Sequence, residues 1–335
     1  MTAASPALPR RAVADKWAPH LVVPAVALAA AFLMDGDTWL TLTVAGVAMG
    51  MMLFLMSAGL TLIFGLMDVL NFAQGAFVTL GAYVAVSTLG ALAGWSEAPS
   101  WALNLAALGV ALVLAALLSG LVGWFFEAVI VRRVYGSHLR QILITMGGLI
   151  IAEQLVIVLW GPQPLALAKP ASFRGSFVFG AVAIEKYRVI AVALGLAVFV
   201  ALHLVLNRTR IGLLVRAGVE NREMVEALGY RIRRLFVGVF VAGTALAGVG
   251  GVMWGLYQEL VTAHIGSEMM ILVFIVLIIG GLGSVGGCFV GAVLVGLAAN
   301  YIGFLAPKLA LGSNILLMAA VLMWRPRGLF PVAKQ

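Results

Sequence analysis

The stretch SAGLTLIFGLMDVLNFAQGA at 57–76 places Asp68, Asn71 and Gln74 within seven positions of an otherwise apolar run, with Gly65 before them and Gly75 after. One carboxylate and two carboxamides this close can hydrogen-bond a polar solute, or brace the backbone of a bent helix. A second interruption, IIGGLGSVGGCFVGA at 278–292, carries Gly280, Gly281, Gly283 and Ser284. Where a membrane helix breaks, its half-helix ends and freed backbone groups become available to a solute. The alternative for the glycines is that they only let helices pack closely. A third polar feature is NRTRIGLLVRAGVENREMVEALGYRIRR at 207–234, where seven arginines alternate with Glu220, Glu223 and Glu226. No GxxxxGK[ST] loop, HExxH, GxSxG or Cys/His cluster is present. The chain therefore reads as no enzyme, with no cofactor or metal of its own, and any ATP would be bound by another subunit.

The elements that must position these groups are membrane helices. The chain is 63% apolar and only 10% charged, with a mean hydropathy of +1.12, whereas soluble domains are roughly 45–50% apolar. Such a composition has too little polar surface for water and suits lipid. The expected fold is all-α, a polytopic bundle of about 8–10 membrane segments, some broken or re-entrant, with a possible inverted repeat. Apolar segments fall near 20–34, 39–57, 74–94, 101–126, 140–160, 187–206, 235–256, 269–281, 285–303 and 309–324, the first and eighth short for a core of roughly 30 Å. The first also resembles a secretory signal, but the next segment follows at once. Residues 1–19 read as a cytoplasmic extension and 20–335 as a single transmembrane domain that includes the 207–234 loop. Single Cys288 excludes an internal disulfide framework.

The net charge of +8 does not point to nucleic acid, because the basic residues lie between apolar segments rather than on one face. Arg132, Arg133, His138 and Arg140, the 207–234 loop, and Arg325, Arg327 and Lys334 occupy alternate connections. The connections at 34–38, 95–100 and 257–268 carry acids and no Lys or Arg. By the positive-inside rule both termini face the cytoplasm. The 161–186 loop is mixed, with Lys169, Arg174 and Lys186, and its prolines suit an ordered external loop.

A carboxylate at the centre of a membrane helix costs roughly 2.5–3.5 kcal/mol, so Asp68 should lie near an interface, be paired, or meet water. The preferred reading is a bent segment whose polar groups line a translocation path or brace its gate. The alternative is an ordinary cytoplasmic loop that merely solvates Asp68. In the 207–234 loop, a short helix fits 219–228, with Gly229 as its C-terminal cap. Met224, Val225 and Leu228 form a small apolar stripe on it, suited to docking a cytosolic protein. Lone polar residues in the spans, including Glu153, Gln154 and Asn300, read as partners for neighbouring helices.

These pieces together resemble the permeases of bacterial ABC importers for branched-chain and other hydrophobic amino acids. The resemblance rests on GLTLIFGLMDVLNFAQGAFVTLGAY at 59–83, Glu127 with RRVYGSHL at 132–139, and RAGVENREMVEALGY at 216–230 with AGTALAGVGGVMWG at 242–255. IIGGLGSVGGCFVGA at 278–292 and RPRGLF at 325–330 complete it. It implies that 216–230 is a coupling helix seated in the ATPase subunit, with Arg216, Glu220, Met224, Val225, Glu226, Leu228 and Gly229 as its residues. It further implies a second related permease chain, two ATPase subunits carrying ATP and Mg, a periplasmic binding protein, and residence in the bacterial inner membrane. Many relatives carry a basic residue in place of Asp68, and His-Gly-acid in place of Gln74-Gly75-Ala76. The same family serves urea, amides and some aromatic acids. A stand-alone secondary transporter would be expected to show more intramembrane ionisable groups, and a passive channel for a solute such as urea has no need of a docking helix.

Overall fold

In the computed structural model, residues 10–220 and 222–331 are described. Thirteen helices carry the fold among them: α1 (Arg10–Ala31), α2 (Gly36–Met67), α3 (Gln74–Ala91), α4 (Ala93–Ser96), α5 (Trp101–Val129), α6 (His138–Trp160), α7 (Lys186–Arg208), α8 (Arg210–Glu220), α9 (Arg222–Ala227), α10 (Ile232–Gln258), α11 (Ile265–Gly280), α12 (Val285–Leu305) and α13 (Ala310–Trp324). Seven are long and apolar enough to cross a membrane, and α1, α11 and α13 supply three shorter apolar stretches. The ten apolar segments read from the sequence are all helical. The helix α1 already begins at Arg10, inside the stretch read as a polar extension, and residues 1–9 lie outside the described residues.

α2 is the central post. Its 32 residues rise about 48 Å, and it continues to Met67 rather than stopping at 57, because every residue of 58–67 is apolar except Thr61. The side chains of Phe54, Leu55, Met56, Leu60 and Ile63 are completely buried. α10 and α12 pack on it, and α3 and α5 pack on α10. Close approach depends on paired glycines: a Cβ on Gly59 would collide with the Gly243 carbonyl of α10, and one on Gly243 with Ile63 at 2.9 Å. Small residues at helix crossings let dispersion contacts replace the hydrophobic drive that lipid does not supply. The outer helices are apolar toward the outside instead, with Leu155, Val158 and Leu159 of α6 and Leu196, Val200 and Leu204 of α7 exposed.

The bundle has two distinguishable ends. One, the basic end, holds Asp68, the 131–137 turn, the α8–α9 region and the C-terminal segment. The other holds two small sheets: β1 (Leu165–Ala166) pairs with β4 (Leu260–Val261), and β2 (Ser176–Phe179) pairs with β3 (Val182–Glu185) in an antiparallel hairpin. The tail closes the basic end, with Leu329 and Phe330 N–H donating to the Ile279 and Gly280 carbonyls at 2.8 and 3.0 Å, and Phe330 meeting the His20 ring edge-on at 4.8 Å.

Candidate gate and coupling surface

The helix break between α2 and α3 spans 68–73. Asp68 ends α2 in the left-handed conformation (φ 52°, ψ 37°), and its N–H reaches Phe64 O at 3.0 Å. Its carboxylate is half exposed and lies 3.8 Å from His138. Asn71 and Gln74 are instead completely buried. The Asn71 amide meets Gln74 Oε1 at 3.5 Å, while Gln74 Nε2 donates to Met56 O at 3.3 Å and Gly243 O at 3.2 Å, tying the start of α3 to both α2 and α10. Phe72 N–H donates to Thr145 Oγ1 of α6 at 3.1 Å. Asp68 thus sits at the surface of the basic end, and Asn71 and Gln74 act as internal braces within this chain.

A second break with the same cap and turn geometry lies at 259–264, a stretch that the glycine pattern did not single out. α10 ends at Gln258, and Glu259 caps it in the left-handed conformation (φ 57°, ψ 3°) with its N–H on Gly255 O at 2.9 Å. Asp68 and Glu259 are the two non-glycine residues of positive φ among the described residues. Both breaks then close with the same turn, Gln74 N–H to Asn71 O and Ile265 N–H to Thr262 O, each 3.2 Å. The separation is the same, 191 positions, from Met67 to Gln258, from Asp68 to Glu259 and from Gly75 to Gly266. DVLNFAQG at 68–75 and ELVTAHIG at 259–266 thus share a left-handed cap and a closing turn, and lie toward opposite ends of the bundle.

The two half-helices meet at their N-termini. A Cβ on Gly75 would lie 2.9 Å from Gly266 O, and the Gly266 N–H donates to Thr79 Oγ1 at 3.1 Å. α3 and α11 have 18 and 16 residues, about 27 and 24 Å, so α3 is at the lower limit for crossing a hydrocarbon core of roughly 30 Å and α11 falls short of it. α6 braces both breaks: Thr145 holds Phe72, and Glu153 Oε2 lies 3.1 Å from His264 Nδ1. Glu153 is buried with its second oxygen unpartnered.

Gly280, Gly281, Gly283 and Ser284 make the tight turn from α11 to α12. Gly280 lies against Gly287, Gly281 (φ 100°) against Phe330 O, and Gly283 against Gly65. Ser284 Oγ caps α12 by accepting from Gly287 N–H at 3.1 Å. This geometry matches the close-packing reading of the second stretch.

Of the docking helix expected over 219–228, the stretch up to Glu220 and Arg222–Ala227 are helical, with residue 221 outside the described residues, and its apolar stripe is split. Val225 is buried against Ile232 and Phe236, with Met67 at the end of α2 packed on the same cluster, whereas Met224 and Leu228 stay 60% and 69% exposed. Gly229 (φ 86°) ends α9 in a Schellman motif, with Gly229 N–H on Glu226 O at 2.9 Å and Tyr230 N–H on Val225 O at 3.2 Å. Glu226 is exposed, and the side chains of Arg216 and Glu220 lie outside the described part of the structure. A cavity of about 220 Å³, lined by Asp68, Tyr135, His138 and Gln141, also touches Met67 and Phe236, so the anchor of α9 adjoins the first break.

Residues 42–323 match the family described as branched-chain amino acid transport system / permease component. The chain belongs to this family. It is 28% identical over 259 residues to the high-affinity branched-chain amino acid transport system permease protein LivH of Escherichia coli (strain K12), covering 76% of this chain and 82% of that protein. BraD of Pseudomonas aeruginosa, named as a permease of the same kind of system, is 29% identical over 263 residues, 76% of this chain and 83% of its own length. A probable LivH of Methanocaldococcus jannaschii is 27% identical over 297 residues, 83% and 88% of the two chains. No solved structure matches.

This permease is a multi-pass membrane protein whose break residues include several that sequence reasoning passed over: Glu259, His264, Lys169 and the role of Glu153. The signal for Glu259 was the octet shared with 68–75, an acid followed by two apolar residues, a polar residue and, at the eighth position, glycine. Lys169 explains the mixed charge of the 161–186 loop. Its side chain is only 10% exposed, with its ammonium 2.6 Å from Glu185 and 3.1 Å from Glu259. Burial alone would lower its pKa, but the hydrogen bonds and charges of the two carboxylates outweigh that and hold it above the ordinary 10.5. Among the described residues no three His, Cys, Asp or Glu side chains gather as a metal site.

Proposed function

We propose that this permease forms, with a second related permease chain, the membrane path of an ATP-driven importer for branched-chain or other hydrophobic amino acids. Two ATPase subunits carrying ATP and Mg, and a periplasmic substrate-binding protein, complete the assembly. The basic end faces the cytosol, placing both termini there and the β2–β3 hairpin in the periplasm of a bacterial inner membrane. The supporting observation, beside the family match and the relatives' names, is the Schellman-capped α9, anchored by Val225 and presenting Met224 and Leu228 outward between two spans. Such a helix suits a groove on an ATPase subunit; Glu226 and Gly229 belong to the same surface, and Arg216 and Glu220 are proposed as further coupling residues. Asp68, Asn71, Gln74 and Gly75 serve the gate, with the buried amides as its braces rather than its lining.

The test is reconstitution into liposomes, with the sister permease, ATPase subunits and binding protein added in turn. Labelled leucine should enter only with the full set and ATP. Robust uptake by the lone chain without ATP would overturn the importer reading in favour of a channel.

A further inference from the structure

The turn between α9 and α10 leaves a notch that neither helix fills. The Gly229 cap sends the chain back at Tyr230, whose carbonyl accepts from Ile232 N–H at 3.1 Å. The start of α10 then comes to lie against α8, where a Cβ on Gly218 would be 3.8 and 4.0 Å from the Ile232 and Leu235 side chains. Between the three helices is a cavity of about 480 Å³, within the range of roughly 300–1,000 Å³ usual for small-molecule sites. Its apolar wall is Leu214, Val225, Ile232 and Leu235, and its outer rim is Tyr230, 52% exposed, with the exposed Arg231 and Arg234. Arg231 and Arg234 stand three positions apart at the opening turn of α10, so both guanidinium groups emerge on one face. Neither side chain has a hydrogen-bond or ion-pair partner among the described residues.

Two unmatched guanidinium groups above an apolar recess suit a ligand that carries an anion on a hydrocarbon body. Depth narrows the choice. Ile232–Gln258 is long and apolar enough to cross the membrane, so its first turn stands at the level of the lipid headgroups, where Tyr and Arg are at home. Guanidinium groups bond phosphate oxygens in pairs. A carboxylate on a docking protein would match the arginines and leave the recess unfilled, whereas a phospholipid supplies both parts. Met224 and Leu228 do not line the notch, so it is separate from the exposed pair of α9 assigned to an ATPase subunit. We propose that this notch binds one anionic phospholipid of the adjoining leaflet, with its phosphate on Arg231 and Arg234 and its upper acyl carbons on Leu214, Val225 and Leu235. Because Val225 also anchors α9, the bound lipid holds that helix at the membrane surface. The site is a property of the chain alone and does not depend on which solute is carried.

The measurement uses the purified full-length chain in phosphatidylcholine nanodiscs, with trace photoactivatable phosphatidylglycerol as probe and photoactivatable phosphatidylcholine as control. Crosslinks are mapped by peptide mass spectrometry. Phosphatidylglycerol should mark 225–235 and phosphatidylcholine should not. Arg231→Gln combined with Arg234→Gln removes two cationic contacts with the anionic lipid and should cut that crosslink by about tenfold or more. Arg327→Gln, exposed at the same end, should leave it unchanged. The double variant alters only exposed side chains and should keep the parent unfolding midpoint in phosphatidylcholine. If it does not, Leu235→Trp, which fills the recess and keeps both charges, should lose the crosslink instead. Equal marking by phosphatidylcholine overturns the proposal, as does a crosslink that survives the double variant or Leu235→Trp. Loss of the crosslink on adding inorganic phosphate would assign the arginines to a free anion and overturn the lipid site as well.

Discussion

Replacing Leu228 with Asp separates docking from folding. The Leu228 side chain is 69% exposed, so the isolated chain loses little when it changes. Full burial of a leucine contributes about 1.5–3 kcal/mol, and the exposed share that docking would cover is then worth about 1–2 kcal/mol. Burying a carboxylate in its place adds a desolvation cost, so the loss at the interface should exceed about 2 kcal/mol, the scale of a hot spot. At about 1.4 kcal/mol per decade, ATPase docking should weaken by more than roughly tenfold. Val225→Asp differs because Val225 is 4% exposed and packs on Ile232 and Phe236; it should destabilise the permease itself. The assay is co-purification of the ATPase subunits with each variant, alongside thermal unfolding of the permease. Leu228→Asp should keep the parent unfolding midpoint and lose the ATPase subunits. Normal retention in Leu228→Asp would show that α9 does not dock through this face.

Other outcomes follow from the two breaks and from Lys169. Gly266→Ala drives a methyl into the Gly75 carbonyl and should cost about 1–3 kcal/mol or more, lowering the unfolding midpoint, whereas Gly147→Ala, with open space around it, should not. Thr145→Val removes the acceptor of Phe72 N–H and should cost about 1–3 kcal/mol, read as faster amide exchange at Phe72. Because the Lys169 pKa is raised in the folded chain, its stabilisation is complete below 10.5 and is lost as pH climbs through the raised value. The unfolding midpoint should therefore show an alkaline decline above about pH 10.5 that is smaller in Lys169→Met.

The ten apolar segments and the break after α2 were legible in the sequence because lipid demands apolar runs and penalises each exception. The Gly229 cap was legible too, since a positive φ at a helix end selects glycine. The end of α2 was misjudged because the polar trio drew the boundary back into a run that is apolar through Met67. The second break was hidden for a different reason. Its residues 259–264 resemble an ordinary acidic loop, and only the shared left-handed cap and the 191-residue separation expose the likeness. Glycine counting pointed to 278–292 instead, where the small residues serve a turn. Val225 could not be placed from its own helix, because the wall it packs on comes from α10 and from Met67, over 150 positions earlier.

The tail that lies across the end of α11 bears on the order in which the bundle is completed. The last carbonyls of a helix have no partner within it, and those of Ile279 and Gly280 are taken by Leu329 and Phe330. During synthesis these two N–H groups emerge about fifty residues after the helix they finish. Until then α11, the shorter of the two half-helices, has an open C-terminal end. When residues 329–330 arrive they settle that end and bring Phe330 against His20 of α1, so the first and last helical regions are joined in the same step. A chain that stops after α13 would leave the ten apolar segments in place and these two carbonyls without their partners.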